Sequence, residues 1–111
     1  MTGMFENCRK LKNIDVSNFD TSKVTDMSNM FYNCQSVSEL DISKFNTEKV
    51  TKMKQMFNQC KSLHQLDTSK LVTNSVIGMT SMFEECNSLS ELDISRFNTE
   101  KVNNMTNMFK G

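Results

Sequence analysis

A repeat of 26 residues runs through the whole chain and constrains its fold more than any other feature. The dipeptide Met-Phe returns at this interval from Met4-Phe5 to Met108-Phe109, and no insertion interrupts the spacing. Self-similarity at a fixed period of this length is the mark of a stacked repeat architecture. A cysteine, an aspartate, a serine and a threonine share the interval: Cys8, Cys34, Cys60 and Cys86; Asp15, Asp41, Asp67 and Asp93; Ser17, Ser43, Ser69 and Ser95; Thr21, Thr47, Thr73 and Thr99.

The repeat also explains an unusual composition. All 10 methionines fall at two repeat positions and all 8 phenylalanines at two others. Lysine plus arginine and aspartate plus glutamate number 13 each, so the balanced charge gives no reason to expect nucleic acid as a partner. No apolar run approaches the ~18 residues of a membrane span. The first residues lack the basic and apolar regions of a signal peptide.

Two patterns inside each repeat predict secondary structure. Residues 92–95 alternate between apolar and polar side chains, which favours a short half-buried strand. Later in the repeat, apolar residues follow a helical spacing, which favours a short helix with one buried stripe. Thr47 precedes this stripe and is expected to cap the helix, with Glu48 in its first turn. The stripe consists of Val50, Met53, Met56, Phe57 and Cys60.

A single repeat of this kind cannot bury its own apolar face, so we expect neighbouring repeats to stack. Phe31, Phe57 and Phe83 should form one ladder, and Leu40, Leu66 and Leu92 another. The fold class expected is an α/β repeat: a leucine-rich-repeat-type solenoid of about four turns, with parallel short strands on one face and short helices on the other. The domain expected is one unit over residues 1–111, with repeats at approximately 9–34, 35–60, 61–86 and 87–111 and a partial unit at 1–8.

The third repeat and the two ends depart from the pattern. Leu71, Val72, Ile77 and Gly78 replace the usual residues of the third repeat, and Gly78 would weaken a helix by about 1 kcal/mol relative to alanine. Neither end carries the polar unit that normally closes a stacked array. The chain therefore has the pattern of a slice of a longer array, and its open ends favour end-to-end self-association.

The motif L-x-x-L-D-I-S-x-F-N-T-x-x-V-T-x-M-x-x-M-F-x-x-C is fullest at residues 37–60 and 89–109. It resembles the BspA-like leucine-rich repeats, and in particular their 26-residue bacterial surface-protein variety, which occurs in mycoplasma proteins of unknown function. The resemblance implies a repeat array displayed on a microbial cell surface or secreted, with roles in adhesion and in host or matrix binding. It implies no catalytic residues and no cofactor, so we expect no enzyme.

Candidate chemical sites have plainer structural interpretations. The four cysteines share one position on the apolar stripe, which favours buried free thiols over disulfides between neighbouring repeats and over a metal site. The methionines have the spacing of a core face rather than of a soft-metal site. Cys60 and His64 are the one pair that could form a nucleophile and base, but the other repeats place lysine or serine where His64 stands. We therefore interpret His64 as a surface substitution.

Outward-facing residues of the predicted strands form the candidate binding surface. The recurring aspartates could accept hydrogen bonds from the neighbouring serines, or could form a polar stripe that meets a partner or a cation. We predict a non-enzymatic module that binds a protein or glycan, and the alternative is a purely structural spacer within a longer array. The predicted binding residues are Glu39, Asp41, Lys44, Asp67, Lys70, Glu91, Asp93 and Arg96.

Overall fold

The computed structural model describes residues 1–111, and its chain makes one circuit per repeat within a body of 34 × 31 × 21 Å. It contains no α-helix and no β-strand of two or more paired residues, only turns, bends and isolated parallel bridges. The prediction of a leucine-rich-repeat-type α/β solenoid, with helices on one face and strands on the other, is therefore wrong. The isolated bridges join Asp26 to Lys52, Lys52 to Gly78, Gly78 to Asn104, and Glu39 to Gln65.

Positive backbone φ angles explain why the predicted helices do not form. Asn29 lies within the second Met-x-x-Met-Phe segment and has φ 58°, and Asn33, two residues after the segment, has φ 60°; both angles are in the left-handed region. A residue in that region cannot continue a right-handed helix. The same two repeat positions are left-handed in every copy of the segment, so the chain forms successive tight turns instead. The other members of the set are Gly3, Asn7, Gln55, Gln59, Ser81, Glu85, Asn107 and Gly111.

These turns direct alternate amides toward the next repeat. Met30 donates its N–H to the carbonyl of Met27 within the turn, whereas the next residue, Phe31, donates to the carbonyl of Met56 at 2.9 Å. A helix would instead keep its amide hydrogen bonds within one segment. The alternation produces a ladder between repeats in place of helices. At one junction its rungs are Met27 to Lys52, Asn29 to Lys54, Phe31 to Met56 and Asn33 to Asn58, at 2.8–3.0 Å.

The predicted strands are absent because other partners take their amide hydrogens. Asp41 accepts the N–H of Ser43 on its own side chain at 2.9 Å, and Phe45 turns its N–H back to the carbonyl of Ile42. Only Glu39 remains to pair with Gln65 of the next repeat. This single bridge, between the second and third repeats, is too little for a strand, which needs a run of paired residues.

The core follows the predicted pattern of buried positions although the secondary structure does not. Met27, Met30 and Phe31 are at most 1% exposed. Phe31 and Phe57 stack with ring centroids 5.6 Å apart, and Phe57 and Phe83 with centroids 5.5 Å apart, so the predicted phenylalanine ladder is confirmed. Phe5 and Phe109 extend the same stack at its two ends. Burial of these side chains is the main source of cohesion between repeats.

Thr47 does not cap a helix as predicted, but instead bridges two repeats. Its hydroxyl donates to the carbonyl of Val72 at 2.8 Å and accepts the Val72 N–H at 2.8 Å. Thr21 makes the same two bonds with Asn46, and Thr73 makes them with Asn98. The side chains of these threonines are buried, so the hydroxyl satisfies two backbone groups that would otherwise lack partners.

Gly78 lies at an isolated bridge and not inside a helix, so the predicted helix penalty does not apply there. A methyl group added to it would meet no heavy atom within 4 Å, which leaves space for a side chain. As no helices are present, the structure has none with the length and apolar character that crossing a membrane requires.

Candidate functional site

An open groove of about 440 Å³ crosses the outward-facing side of the first three repeats. Its lining includes the apolar residues Ile14, Leu40 and Ile42, and the other lining residues are polar. The lining residues come from matching positions of successive repeats, so the groove runs across the stack of repeats. The polar lining residues are Asn13, Asp15, Glu39, Asp41, Ser43, Gln65 and Asp67.

The structure brings only part of the predicted binding set to this groove. Glu39, Asp41 and Asp67 line it, and Glu91 and Asp93 are exposed at the equivalent positions of the fourth repeat. Lys44, Lys70 and Arg96 are exposed in the next row of the same side. The lining also includes Asn13 and Gln65, which are outward positions of the predicted strand face, Asp15 of the predicted aspartate stripe, and Ser43, which lay outside the predicted binding set.

Each recurring aspartate closes a small turn with the serine two residues later. The Ser17 N–H donates to Asp15 at 3.0 Å, and the Ser69 N–H donates to Asp67 at 2.9 Å. The expectation that these aspartates accept hydrogen bonds from their own turns is confirmed. The hydrogen bonds of the Ser17 hydroxyl and amide lower the pKa of Asp15 from its usual value. The corresponding serines lower the pKa values of Asp41, Asp67 and Asp93 in the same way.

Two rows of opposite charge therefore run side by side. The acidic row consists of the four aspartates, and the basic row of Lys44, Lys70 and Arg96. The serine hydrogen bonds have the largest effect on the pKa values of Asp93 and Asp67. Arg96 lowers both pKa values further, that of Asp93 in its own repeat and that of Asp67 in the repeat before. Like charges therefore follow one another from repeat to repeat within each row, and opposite charges lie in the neighbouring row. We call these two rows and the groove the charged face.

His64 lies beside this face rather than beside a nucleophile. Its Nε2 is 3.6 Å from Glu39 Oε1, and both side chains are more than half exposed. The Cys60 thiol is buried and donates to the carbonyl of Phe31 at 3.2 Å. Burial raises the pKa of Cys60 well above its usual value, which keeps the thiol protonated and poorly nucleophilic. The hypothetical Cys60–His64 pair has no hydrogen bond between its members.

The cysteine thiols act as links between repeats. Cys34, Cys60 and Cys86 each donate to the carbonyl of a phenylalanine in the preceding repeat, at 3.1–3.2 Å. Cys34 and Cys60 are buried, and Cys8 and Cys86 are half-buried. All four are free thiols, and no group of three or more histidine, cysteine, aspartate or glutamate side chains has the geometry to hold a metal ion. The predicted burial is thus confirmed for the two central cysteines.

Comparison with known proteins identifies one family. Its description is "Mycoplasma protein of unknown function, DUF285", and its sequence pattern matches residues 1–111. No curated protein and no solved structure matches the chain. The match covers every repeat, including the third, which departs most from the common motif.

Proposed function

Because the chain belongs to this Mycoplasma family, whose function is unknown, we propose from its own geometry that it is a non-enzymatic binding module. The partner would be a protein or a glycan, and the charged face would be the surface that meets it. The observation that carries the proposal is the groove, whose lining combines Glu39, Asp41 and Asp67 with three apolar residues. Convergent polar groups over apolar surface are the usual character of a binding site.

Rigid placement of the charges supports this proposal. Asp41 and Asp67 are each held by a serine amide, so their carboxylates lose little conformational freedom when a partner binds. The groove and the acidic row carry no aromatic anchor of the sort that dominates tight interfaces. We therefore propose weak individual contacts that gain strength when many repeats engage one partner.

Surface adhesion is the finer form of the proposal. The resemblance of the motif to BspA-like surface-protein repeats supports a cell-surface or secreted location and a role in attachment. A purely structural spacer is the second candidate. The same regular junctions support it, because stacked repeats hold a fixed length whatever their outward residues are.

The test compares two triple variants that remove the same charges from different places. The first is Glu39→Gln, Lys70→Gln and Arg96→Gln on the charged face. The second is the control, Glu48→Gln, Lys49→Gln and Lys101→Gln, at exposed positions outside it. Both remove one acid and two bases, so any difference between them reports location rather than net charge.

The measurement is binding of the labelled chain, multimerised on a bead, to a glycan array and to immobilised matrix proteins. The adhesion proposal predicts a ligand that the control variant retains and the charged-face variant loses. Equal loss in both variants would remove the charged face from consideration. An absence of any ligand, together with full function of a parent protein whose repeats have been reordered, would favour the spacer.

A further inference from the structure

The lining of the groove carries charge of one sign only. Its 10 residues include four carboxylates and no lysine, arginine or histidine. The whole chain has equal numbers of acidic and basic residues, so this excess of negative charge is local to the groove. A partner that fills the groove must supply positive charge, because carboxylates removed from water without counter-charges destabilise a complex. The four carboxylates belong to Asp15, Glu39, Asp41 and Asp67.

The protein itself supplies few counter-charges to the groove. No lysine or arginine forms an ion pair with any of the four carboxylates, and the one basic side chain in such contact is His64, 3.6 Å from Glu39. Asp15 is the extreme case. The hydrogen bonds from Ser17 lower its pKa, but the one charged group that acts on it is Asp41, which raises that pKa by repulsion.

The basic row of the charged face does not extend to the first repeat. Lys44 and Lys70 each follow an aspartate of the groove by three residues, whereas Asn18 stands at that position after Asp15. The serine hydrogen bonds have the largest effect on the pKa of Asp41, and Lys44 lowers it further. No base acts on Asp15 in this way. The part of the groove formed by the first repeat is therefore the part most open to a cation from a partner.

The chemistry of the lining selects among positively charged partners. No three acidic side chains have the geometry to hold a metal ion, so the carboxylates do not converge on one point. An acidic glycan would meet repulsion from all four. A lysine or arginine side chain fits the lining, because its methylene stem can lie on apolar surface while its charged head reaches a carboxylate. The apolar lining consists of Ile14, which is half-buried, and of Leu40 and Ile42.

We propose that the partner of the charged face is a protein, and that it enters the groove with a segment rich in lysine or arginine. This inference rests on the proposed binding function and narrows it, since it chooses a protein over a glycan. The carboxylates come from three successive repeats, so the segment needs at least two basic side chains to meet them. The attraction is between exposed charges, and dissolved salt therefore weakens it.

The test uses two fluorescein-labelled peptides of equal length, one that alternates lysine with serine and one that alternates glutamate with serine. Fluorescence anisotropy measures the binding of each peptide to the full chain at low and at physiological ionic strength. The lysine peptide should bind and the glutamate peptide should not, and added salt should weaken the binding. Equal binding of the two peptides, or no binding of the lysine peptide, would overturn the proposal.

Two matched double variants locate the contact. Asp15→Asn with Asp41→Asn removes two carboxylates from the groove, and Asp20→Asn with Asp93→Asn removes two outside it. All four aspartates are exposed, and each accepts the N–H of the serine two residues later. Asparagine should preserve these turns, because Asn46 accepts the equivalent N–H in this chain.

The groove variant should bind the lysine peptide about fivefold more weakly than the unaltered chain, because two exposed ion pairs are lost. The control variant has the same net charge and should bind as the unaltered chain does. Unchanged binding in the groove variant, or equal weakening in both variants, would overturn the proposal, since the attraction would then not depend on the groove.

Failure of this inference is distinguishable from failure of the proposed function. A glycan ligand that is lost with the charged face, together with no binding of the lysine peptide, would retain the binding module and overturn the choice of a basic protein segment. The absence of any ligand, the lysine peptide included, would overturn both.

Discussion

The Thr47 hydroxyl both donates to the Val72 carbonyl and accepts the Val72 N–H, each at 2.8 Å, so one side chain ties two repeats at a single residue. The exposed fraction of Thr47 is 0%, so water cannot replace either bond. A small polar group thus fixes the register between repeats from inside the core.

Thr47→Val should lower the free energy of unfolding by about 1–3 kcal/mol, because it removes the buried hydroxyl that pairs with both the N–H and the C=O of Val72. Thr99→Val is the matched control, since Thr99 has the same repeat position but is exposed and has no following repeat in the chain. Urea unfolding followed by circular dichroism measures both. Equal stability of the two variants would contradict the structural role of the hydroxyl.

The sequence predicts which residues are buried better than it predicts the secondary structure. A turn that repeats after four residues buries nearly the same positions as a helix of 3.6 residues per turn, so the stripe from Met53 to Cys60 fits both. The difference lies in residues such as Gln55 and Gln59, whose positive φ angles no apolar pattern reveals. Glycine or asparagine, the residues that most readily adopt this conformation, stands at six of the ten positions: Gly3, Asn7, Asn29, Asn33, Asn107 and Gly111.

The charged face was predictable in part for the same reason. The repeat register identified the aspartate row and the basic row, because outward positions recur with the interval. The groove depends on backbone pairing that stops after Glu39, and that follows from the Ser43 amide turning to Asp41. A pattern of alternating residues does not indicate where pairing ends.

Gln55→Gly should stabilise the protein by up to about 1 kcal/mol. Gln55 has φ 54°, and relief of left-handed strain exceeds the entropy that glycine adds to the unfolded chain. Gln65→Gly is the control at an exposed position without a positive φ, and it should destabilise. Thermal unfolding of the two variants should therefore shift in opposite directions, and a shift in the same direction would count against the strain.

Gly78→Asn should also be stabilising, by about 0.4–1 kcal/mol through reduced freedom of the unfolded chain. The added amide has open space around it, and Asn104 at the same repeat position accepts the N–H of the residue two places on, Thr106. Gly78→Ala separates the two effects, because alanine reduces the freedom of the unfolded chain but has no side-chain amide to accept a hydrogen bond. Chemical denaturation should show the highest stability with asparagine at this position, then alanine, then glycine. If the chain with glycine were the most stable, the open space seen at this site would be contradicted.

Native thiol reactivity should differ along the cysteine row. Burial raises the pKa of Cys34 and that of Cys86 to about 11, and it raises the pKa of Cys60 further. Cys8 is half-buried and its thiol has no hydrogen bond to a preceding repeat. Iodoacetamide labelling at pH 7 with peptide mass mapping should modify Cys8 first and Cys60 only after denaturation. Early labelling of Cys60 would mean that the central junction opens readily.

The free energy of unfolding should fall in acid, because acid protonates the aspartates that accept hydrogen bonds in these turns. Their pKa values are lower in the folded protein than the usual 3.8, so the unfolded chain binds protons first as the pH drops. The stabilisation is present above the unfolded pKa and is lost as the pH passes through the lower, folded one. The measurement is the free energy of unfolding at pH 7 and at pH 3. The decrease between the two pH values should be smaller for Asp41→Asn than for the unaltered chain, and an equal decrease would exclude Asp41 as a contributor.

Alternate N–H groups along each turn donate to the neighbouring repeat, and the peptide dipoles of this ladder share one direction. At the junction between residues 53–59 and 78–84, four N–H groups point toward the later repeat, and only Ile77 points one back, to Thr51. Peptide dipoles aligned in one sense add together. The carbonyls of Thr2, Met4 and Glu6 end the ladder on one side, and the amides of Asn107, Phe109 and Gly111 end it on the other. Along this ladder the peptide dipoles therefore share one direction, with their negative ends toward the first repeat and their positive ends toward the last.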